Sequence, residues 1–291
     1  ALPDGDAAPD AWEAMVNVSV DQEPDFLLLA DPFSTRGEHL LMGLDYAFPG
    51  SVKTGGLASG AHEPEGNALY LSDATYRSGV VGVSMRGDIV VETVVAQGCR
   101  PIGQPMQVTA CNQNLLLGLN GETPFEVLKG IFEGLTDRDR ELAQHSLFLG
   151  VVMDEFTANP QLGDFLIRNV VGADPRRGAL AIGETLKEGQ TVQFHLRDAT
   201  TSTNDLDAML TQYARSHPIY EEAGALMFSC LGRGSYLYGR ADHDTDMFRE
   251  KVGEMPLTGF FCNGEIGPVG GSTFLHGYTS SFGIIRPKAG R

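Results

Sequence analysis

Three short stretches in the second half of the chain hold the residue types that bind or transform small polar molecules. The first is FSCLGRG at 228–234, an apolar run that breaks into a Gly-Arg-Gly turn. Glycines permit φ > 0, so successive N–H groups around Gly232 and Gly234 are expected to converge on an anion. Arg233 would add a forked grip on a carboxylate or phosphate. The competing reading is a tight turn with a solvated arginine and a buried Cys230. The second stretch is GFFCNGEIGP at 259–268, containing Asn263 and Glu265. A carboxylate among apolar neighbours needs a partner or shifts its pKa. Glu265 is therefore expected to meet a ligand ammonium or to pair with Arg233, an internal salt bridge being the competing reading. The third is LHGYTS at 275–280, where His276 and Thr279 offer hydrogen bonds close in sequence to Glu265.

Arg168 and the Arg197-Asp198 pair end two further apolar runs. An unpaired buried charge is costly, so structural pairing leads for both arginines and pocket lining is second. Arg197 and Asp198 stay among the candidate ligand-binding residues, Asp198 as an alternative to Glu265 for an ammonium group. Cys230 and Cys262 raise a second kind of chemistry. A thiolate nucleophile needs a base or positive charge beside it, and His276 and Arg233 are candidate activators. Small buried cysteines are more often inert packing. If the chain is an enzyme, Cys230 and His276 are the expected catalytic residues. Ser59 lacks the Gly-x-Ser-x-Gly order of a nucleophile elbow. No Walker loop, dinucleotide fingerprint or His-Glu-x-x-His helix is present. No cofactor and no metal are expected.

The bulk properties narrow the partners. The 291 residues carry a net charge of -17, the wrong sign for covering nucleic-acid phosphates or an anionic membrane surface. A hydrophobic fraction of 42% is enough for a sizeable core, and 36 glycines favour tight turns over long helices. No apolar run approaches the roughly 18 residues of a membrane helix, and no signal peptide opens the sequence. The four cysteines form no CxxC pair and read as reduced thiols. A soluble, intracellular protein of the cytoplasm or an organelle stroma, plastid included, is the expectation.

The elements that must position these residues are mostly strands. Hydrophobic patterning predicts strands at 26–30, 68–71, 79–85, 88–96, 106–113, 115–119, 146–153, 165–170, 179–182, 191–196, 223–230, 259–262, 273–277 and 280–285. It predicts helices at 12–16, 38–48, 124–134, 137–145, 205–216 and 244–252. Thr123 and Asn204 read as N-caps, and Gly253 as a C-terminal stop. Residues 51–60 read as a glycine-rich turn, and Arg86-Gly87-Asp88 as a hairpin. Strands outnumber helices without strict alternation, which favours α+β. No repeat is strong enough to declare a duplication.

The ordered set FSCLGRG, GFFCNGEIGPVGG and FLHGYTSSFGII resembles the C-terminal domain of the FIST family. FLIRN at 165–169 and QFHLRD at 193–198 are similar to it as well. Residues 26–33 and 55–60, and QGCRPIG at 97–103, resemble its N-terminal domain. The likeness spans about residues 12–286, although the family's N-terminal domain usually starts with an extra strand and helix ahead of the 26–30 match. The resemblance implies stacked, mostly antiparallel sheets flanked by helices (an αββα-like sandwich) in two related halves. It implies a flexible segment at 1–22, a FIST N-like domain truncated at its start at 23–140, a FIST C-like domain at 141–286 and a tail at 287–291. It also implies a sensory module for a small ligand, an amino acid or another small anionic metabolite, acting in intracellular signalling. The ligand set it suggests is Cys230, Gly232, Arg233, Gly234, Asn263, Glu265 and His276, with Arg197 and Asp198. An interaction or assembly subunit that works without ligand is the alternative, and a cysteine-dependent hydrolase or transferase the second. Partners would be that ligand and a signalling or assembly protein, with no nucleic acid and no membrane span.

Overall fold

The computed structural model describes residues 2–217 and 222–288. Of the tail expected at 287–291, residues 289–291 lie outside the described residues. The chain forms two compact units: Ala1–Ala96 with Leu206–Arg291, and Gln97–Asp205 between them in sequence. This partition is spatial and discontinuous, and so is of another kind from the segments 23–140 and 141–286.

The first unit opens with α1 (Pro9–Val16), which starts on a proline suited to the first helical turn and buries Trp12. Then come β1 (Asp25–Ala30), α2 (Gly37–Ala47), β2 (Lys53–Leu57), β3 (Leu69–Leu71), β4 (Ala74–Tyr76), β5 (Val80–Met85) and β6 (Ile89–Gln97). The second unit holds β7 (Cys99–Asn112), β8 (Leu115–Leu119), α3 (Pro124–Gly134), α4 (Asp137–Ala143), β9 (Leu147–Val152), β10 (Phe165–Asp174), β11 (Ala179–Ile182) and β12 (Thr191–Arg197). Helix α5 (Ala199–Ser216) leads back to the first unit, which finishes with β13 (Gly224–Cys230), α6 (Ser235–Tyr238), α7 (His243–Val252), β14 (Leu257–Cys262), β15 (Glu265–Val269), β16 (Ser272–His276) and β17 (Thr279–Pro287).

The second unit is a closed barrel in the order β10-β11-β8-β7-β12-β9. Leu116, Leu149, Phe194 and Leu196 lie in its core. Helix α3 begins where the sequence places it: Thr123 and Glu126 exchange hydrogen bonds in a capping box that satisfies two free N–H groups of its first turn. Closure of a barrel removes exposed strand edges, a device that local patterning does not reveal.

The first unit is a four-layer α–β–β–α sandwich. One sheet runs β16-β15-β2-β1-β5 and the other β14-β13-β17-β6. The Trp12, Leu40, Leu41 and Leu44 side chains of α1 and α2 pack on Phe26, Leu28 and Ile266 of the first sheet. Leu206 and Leu210 of α5 and Phe248 and Val252 of α7 pack on Ala225, Phe282 and Ile284 of the second. Between the sheets the packing is close: a Cβ on Gly267 would lie 2.8 Å from Ser281 Oγ, and one on Gly56 would lie 3.0 Å from Cys262 Cβ.

The sandwich is built twice from one motif. β1 and β2 run parallel across the α2 crossover, and β13 and β14 run parallel across the α7 crossover. Each first strand then takes an antiparallel neighbour, β5 on β1 and β17 on β13. Gly55 stands opposite Leu28, and Gly259 stands opposite Met227. That register aligns KTGGLASG at 53–60 with LTGFFCNG at 257–264. The strand–helix–strand motif thus recurs once in each sheet of the sandwich.

Three local expectations are corrected. Residues 51–60 are not all turn: β2 is a fully buried central strand within them. Arg86-Gly87-Asp88 does not close a hairpin, because β5 pairs with β1 while β6 joins the other sheet beside β17. Helix α5 starts before Asn204, which therefore sits inside it. Its first turn is instead capped by Asp198, whose Oδ1 accepts from Thr201 N at 2.8 Å.

Candidate functional site

The C-terminal ends of the parallel strands β13 and β14 bring the three sequence stretches together. Glu265 leads β15 immediately after β14 and pairs in register with His276 on β16. The carboxylate of Glu265 is fully buried. Its Oε2 accepts from Thr279 N at 3.1 Å and from Thr279 Oγ1 at 2.7 Å, and its Oε1 accepts from Cys262 Sγ at 3.4 Å. Burial pushes the carboxyl up to about 7, against the Thr279 and Cys262 donors and the charge of Arg233. Cys230 and Cys262 are in-register partners across β13 and β14.

Arg233 is 1% exposed. It does not pair directly with Glu265. Its Nε donates to Asp244 Oδ2 at 2.7 Å and its Nη2 to Asp244 Oδ1 at 3.2 Å, a forked ion pair with the first turn of α7. Ser229 Oγ and His243 Nδ1 also reach this carboxylate, at 3.3 and 2.9 Å. The guanidinium carbon lies 5.6 Å from the Tyr238 ring centroid, and that ring stacks on His243 at 3.5 Å. Burial opposes ionisation of Asp244, but the Arg233 charge and hydrogen bonds outweigh it and hold the carboxyl below its ordinary value. Among the described residues, Arg233 Nη1 has no hydrogen-bond partner although it is buried. The same holds for Ser280 Oγ, whose register partner Ser229 donates to Asp244.

The expected anion nest is not formed. Gly234 has φ +78°, whereas Gly232 is not left-handed, and Arg233 N–H donates to the Cys230 carbonyl at 2.9 Å. Gly234 is the residue before α6 and faces Phe261, whose ring would lie 3.0 Å from an added Cβ. Asn263 is exposed, and its backbone N–H bonds to Leu57 of β2. His276 Nε2 contacts the Gly267 carbonyl at 3.0 Å. Burial pushes the Cys262 thiol up, the direction opposite to that of an activated nucleophile.

Arg197 and Asp198 belong to the second unit, whereas Arg233 and Glu265 belong to the first. Asp198 accepts from Arg100 Nε at 2.9 Å besides capping α5. Arg168 pairs with Glu184, as structural pairing requires. Asp244, Ser229 and Tyr238 were not anticipated at the site. Their only sequence signal is closeness to Arg233, because α7 presents Asp244 as an ordinary acidic first-turn residue.

Elsewhere in the first unit an open groove of about 610 Å³ lies between α1, α2 and strands β1 and β5. Apolar side chains such as Val16, Phe26 and Leu44 line it, together with Arg36.

Comparison with known proteins places this arrangement. The FIST N domain family matches residues 4–122, and the FIST C domain family matches residues 124–268. The chain belongs to the FIST family. FIST domains are associated with sensory and signal-transduction roles. An uncharacterized protein of Mycobacterium bovis is 42% identical over 259 residues, covering 89% of this chain and 67% of that protein. An uncharacterized protein of Mycobacterium tuberculosis is 41% identical over the same length and the same shares of both chains. An F-box/LRR-repeat protein of Arabidopsis thaliana is 26% identical over 309 residues, covering 90% of this chain and 58% of that protein. Among the described residues, no helix of this FIST protein is long and apolar enough to cross a membrane.

The Glu265 shift in this FIST protein carries a stability consequence. Its folded pKa of about 7 lies above the ordinary 4.5. Stability from this group is fully present below about pH 4.5 and is lost as the pH rises through about 7. The loss amounts to about 3 kcal/mol at pH 8, taking about 1.4 kcal/mol for each pH unit. Glu265→Gln should flatten that limb. Urea denaturation at pH 5, 6, 7 and 8 reads it directly, and parallel curves for native and variant protein would show that Glu265 is ionised without cost.

Proposed function

We propose that this chain is a sensor module for a small amino-acid-like metabolite, bound where β13 and β14 end. The ligand's anionic oxygen would accept from Arg233 Nη1, and its ammonium would face Glu265. The carrying observation is the unpartnered Nη1 of a buried guanidinium whose other nitrogens are fixed by Asp244. Native folds satisfy buried donors, and an exception at a strand end calls for a partner from outside the chain. Position supports the reading too: crossover pairs such as β13-α7-β14 open their strand C-termini to ligands. Glu265 has hydroxyl, amide and thiol donors but no directly bonded cation.

Calorimetry against a panel of amino acids and small carboxylates tests this. Binding is expected for the native chain, with at least tenfold weaker affinity for Arg233→Lys, which keeps the charge beside Asp244 but loses the fork. A bound ammonium would favour ionised Glu265, so binding near pH 7 should release a proton and its heat should differ between buffers of different ionisation enthalpy. Equal heats for native and Arg233→Lys protein, in every buffer, would sink the assignment.

A second reading has one observation behind it. Leu231, Tyr236 and Phe261 are exposed on the segments that carry the site, Tyr236 at 95%. Exposed apolar side chains of this kind suit a protein partner. Pull-down with and without a bound metabolite separates the readings, since an assembly subunit would hold its partner in either state.

A further inference from the structure

The two cysteines of the strand-end cluster differ in a way that packing alone does not require. Cys230 and Cys262 are opposite each other in register on parallel neighbours β13 and β14, and neither is in a disulfide. Opposed residues on adjacent strands project to the same face, and adjacent strands lie about 4.8 Å apart. That spacing falls inside the Cα range of roughly 4.4–6.8 Å that a disulfide spans. Cys230 is partly exposed, whereas Cys262 is buried and points its Sγ at Glu265 Oε1. One residue is partly open to solvent, and the other has a proton acceptor in place. Arg233, in the same turn, lies close enough to Cys230 for the two groups to interact electrostatically. Cys99 and Cys111 offer no equivalent: they lie near opposite ends of the single strand β7, which rises about 3.3 Å per residue.

We propose that Cys230 and Cys262 form a hydroperoxide-sensing thiol pair, Cys230 being the residue oxidised first and Cys262 the one that resolves it. In the first step the Cys230 thiolate attacks the distal oxygen of the hydroperoxide. The O–O bond breaks, Cys230 becomes a sulfenic acid, and the leaving oxygen takes a proton to depart as water or an alcohol. In the second step Cys262, which burial keeps as a thiol at rest, passes its proton to Glu265 as its sulfur attacks the Cys230 sulfur. The S–O bond breaks, and hydroxide departs as water after taking a proton. Two electrons have then passed from two thiols to one hydroperoxide. The bond ties the 231–234 turn to the 263–264 turn and removes the Cys262 donor from Glu265. The inference is independent of the ligand reading, because it needs only the unliganded chain.

The test uses the full chain, reduced and then titrated with hydrogen peroxide at neutral pH. Samples are denatured, alkylated and mapped by mass spectrometry without reductant. The expected result is loss of two alkylation sites and a peptide in which Cys230 is bridged to Cys262. Cys262→Ala should stop at a Cys230 sulfenic acid that dimedone traps, and Cys230→Ala should leave Cys262 fully alkylated. The native chain keeps the proposal open to refutation even if the buried Cys262→Ala variant fails to fold. Four alkylatable cysteines after peroxide treatment would overturn it, as would a bridge to Cys99 or Cys111, or Cys230 advancing to sulfinic acid without a bridge.

Discussion

Gly55→Ala and Gly259→Ala are each expected to lower the unfolding free energy by about 3–5 kcal/mol, among the largest effects open to a single methyl group. The reason is backbone, not side-chain, crowding. A Cβ on Gly55 would sit 1.8 Å from the Leu28 carbonyl oxygen and 2.8 Å from its carbon. A Cβ on Gly259 would sit 1.8 Å from the Met227 carbonyl oxygen and 2.7 Å from its carbon. Gly55 also has φ +152°, outside the ordinary range of L residues. Both glycines face the central strand of a parallel pair, and each such strand is held by a second neighbour on its other edge. Relief requires moving a strand, which breaks ladder hydrogen bonds on two sides. Thermal unfolding should fall by about 10 °C, taking about 2–4 °C for each kcal/mol at this size. Gly130→Ala, on exposed helix α3 with nothing within 4 Å of the new methyl, is the control and should gain about 0.5–1 kcal/mol. Equal stability of all three variants would show that the two strand pairs can separate without cost.

These glycines also show where sequence reading stopped. Thr54 and Gly55 align with Thr258 and Gly259, and Gly60 aligns with Gly264, but only after the strand register is known. In the first copy Gly55-Gly56 reads as turn chemistry, because glycine normally weakens a strand. The structure uses the missing side chains for close backbone and sheet contact instead. Where the signal is local, the reading transferred well: α3 and its Thr123 cap, the Gly253 stop after α7, and strand β11 all stand where patterning put them. Where the signal is a partner in space, it did not. Nothing near Arg86 and Asp88 says that their two strands enter different sheets. A low-propensity Thr-Thr-Ser-Thr run hid the first turn of α5.

The same division holds at the site. Arg233, Glu265, Cys230 and Thr279 were legible because charged or reactive residues at glycine-punctuated strand ends are conspicuous. Asp244 was not legible, because an acidic residue in the first turn of a helix is ordinary until an arginine is found buried against it. Asp198 was conspicuous for the wrong reason: its charge serves a helix cap and an arginine in the second unit.

Asp244→Ala is expected to cost about 3–5 kcal/mol, because it leaves the buried Arg233 charge without its carboxylate. Removing both charges together behaves differently. A buried ion pair contributes little net stability over well-packed apolar groups, so Arg233→Met with Asp244→Leu should recover most of the loss. A double-mutant cycle by urea denaturation measures the coupling, and strict additivity of the two single changes would contradict the forked geometry. Acid provides a second readout. Asp244 has a folded pKa below its ordinary 3.8, so its contribution is present above about pH 3.8 and disappears as the pH falls through the folded value. Asp244→Asn should lack that acid limb. The double variant also separates architecture from recognition. If Asp244 serves to aim Arg233, then a chain with both charges removed should fold near native stability and still fail to bind any carboxylate that the native chain binds. Retained binding in that folded variant would place recognition elsewhere in the unit, and the apolar groove beside Arg36 would then be the surface to probe.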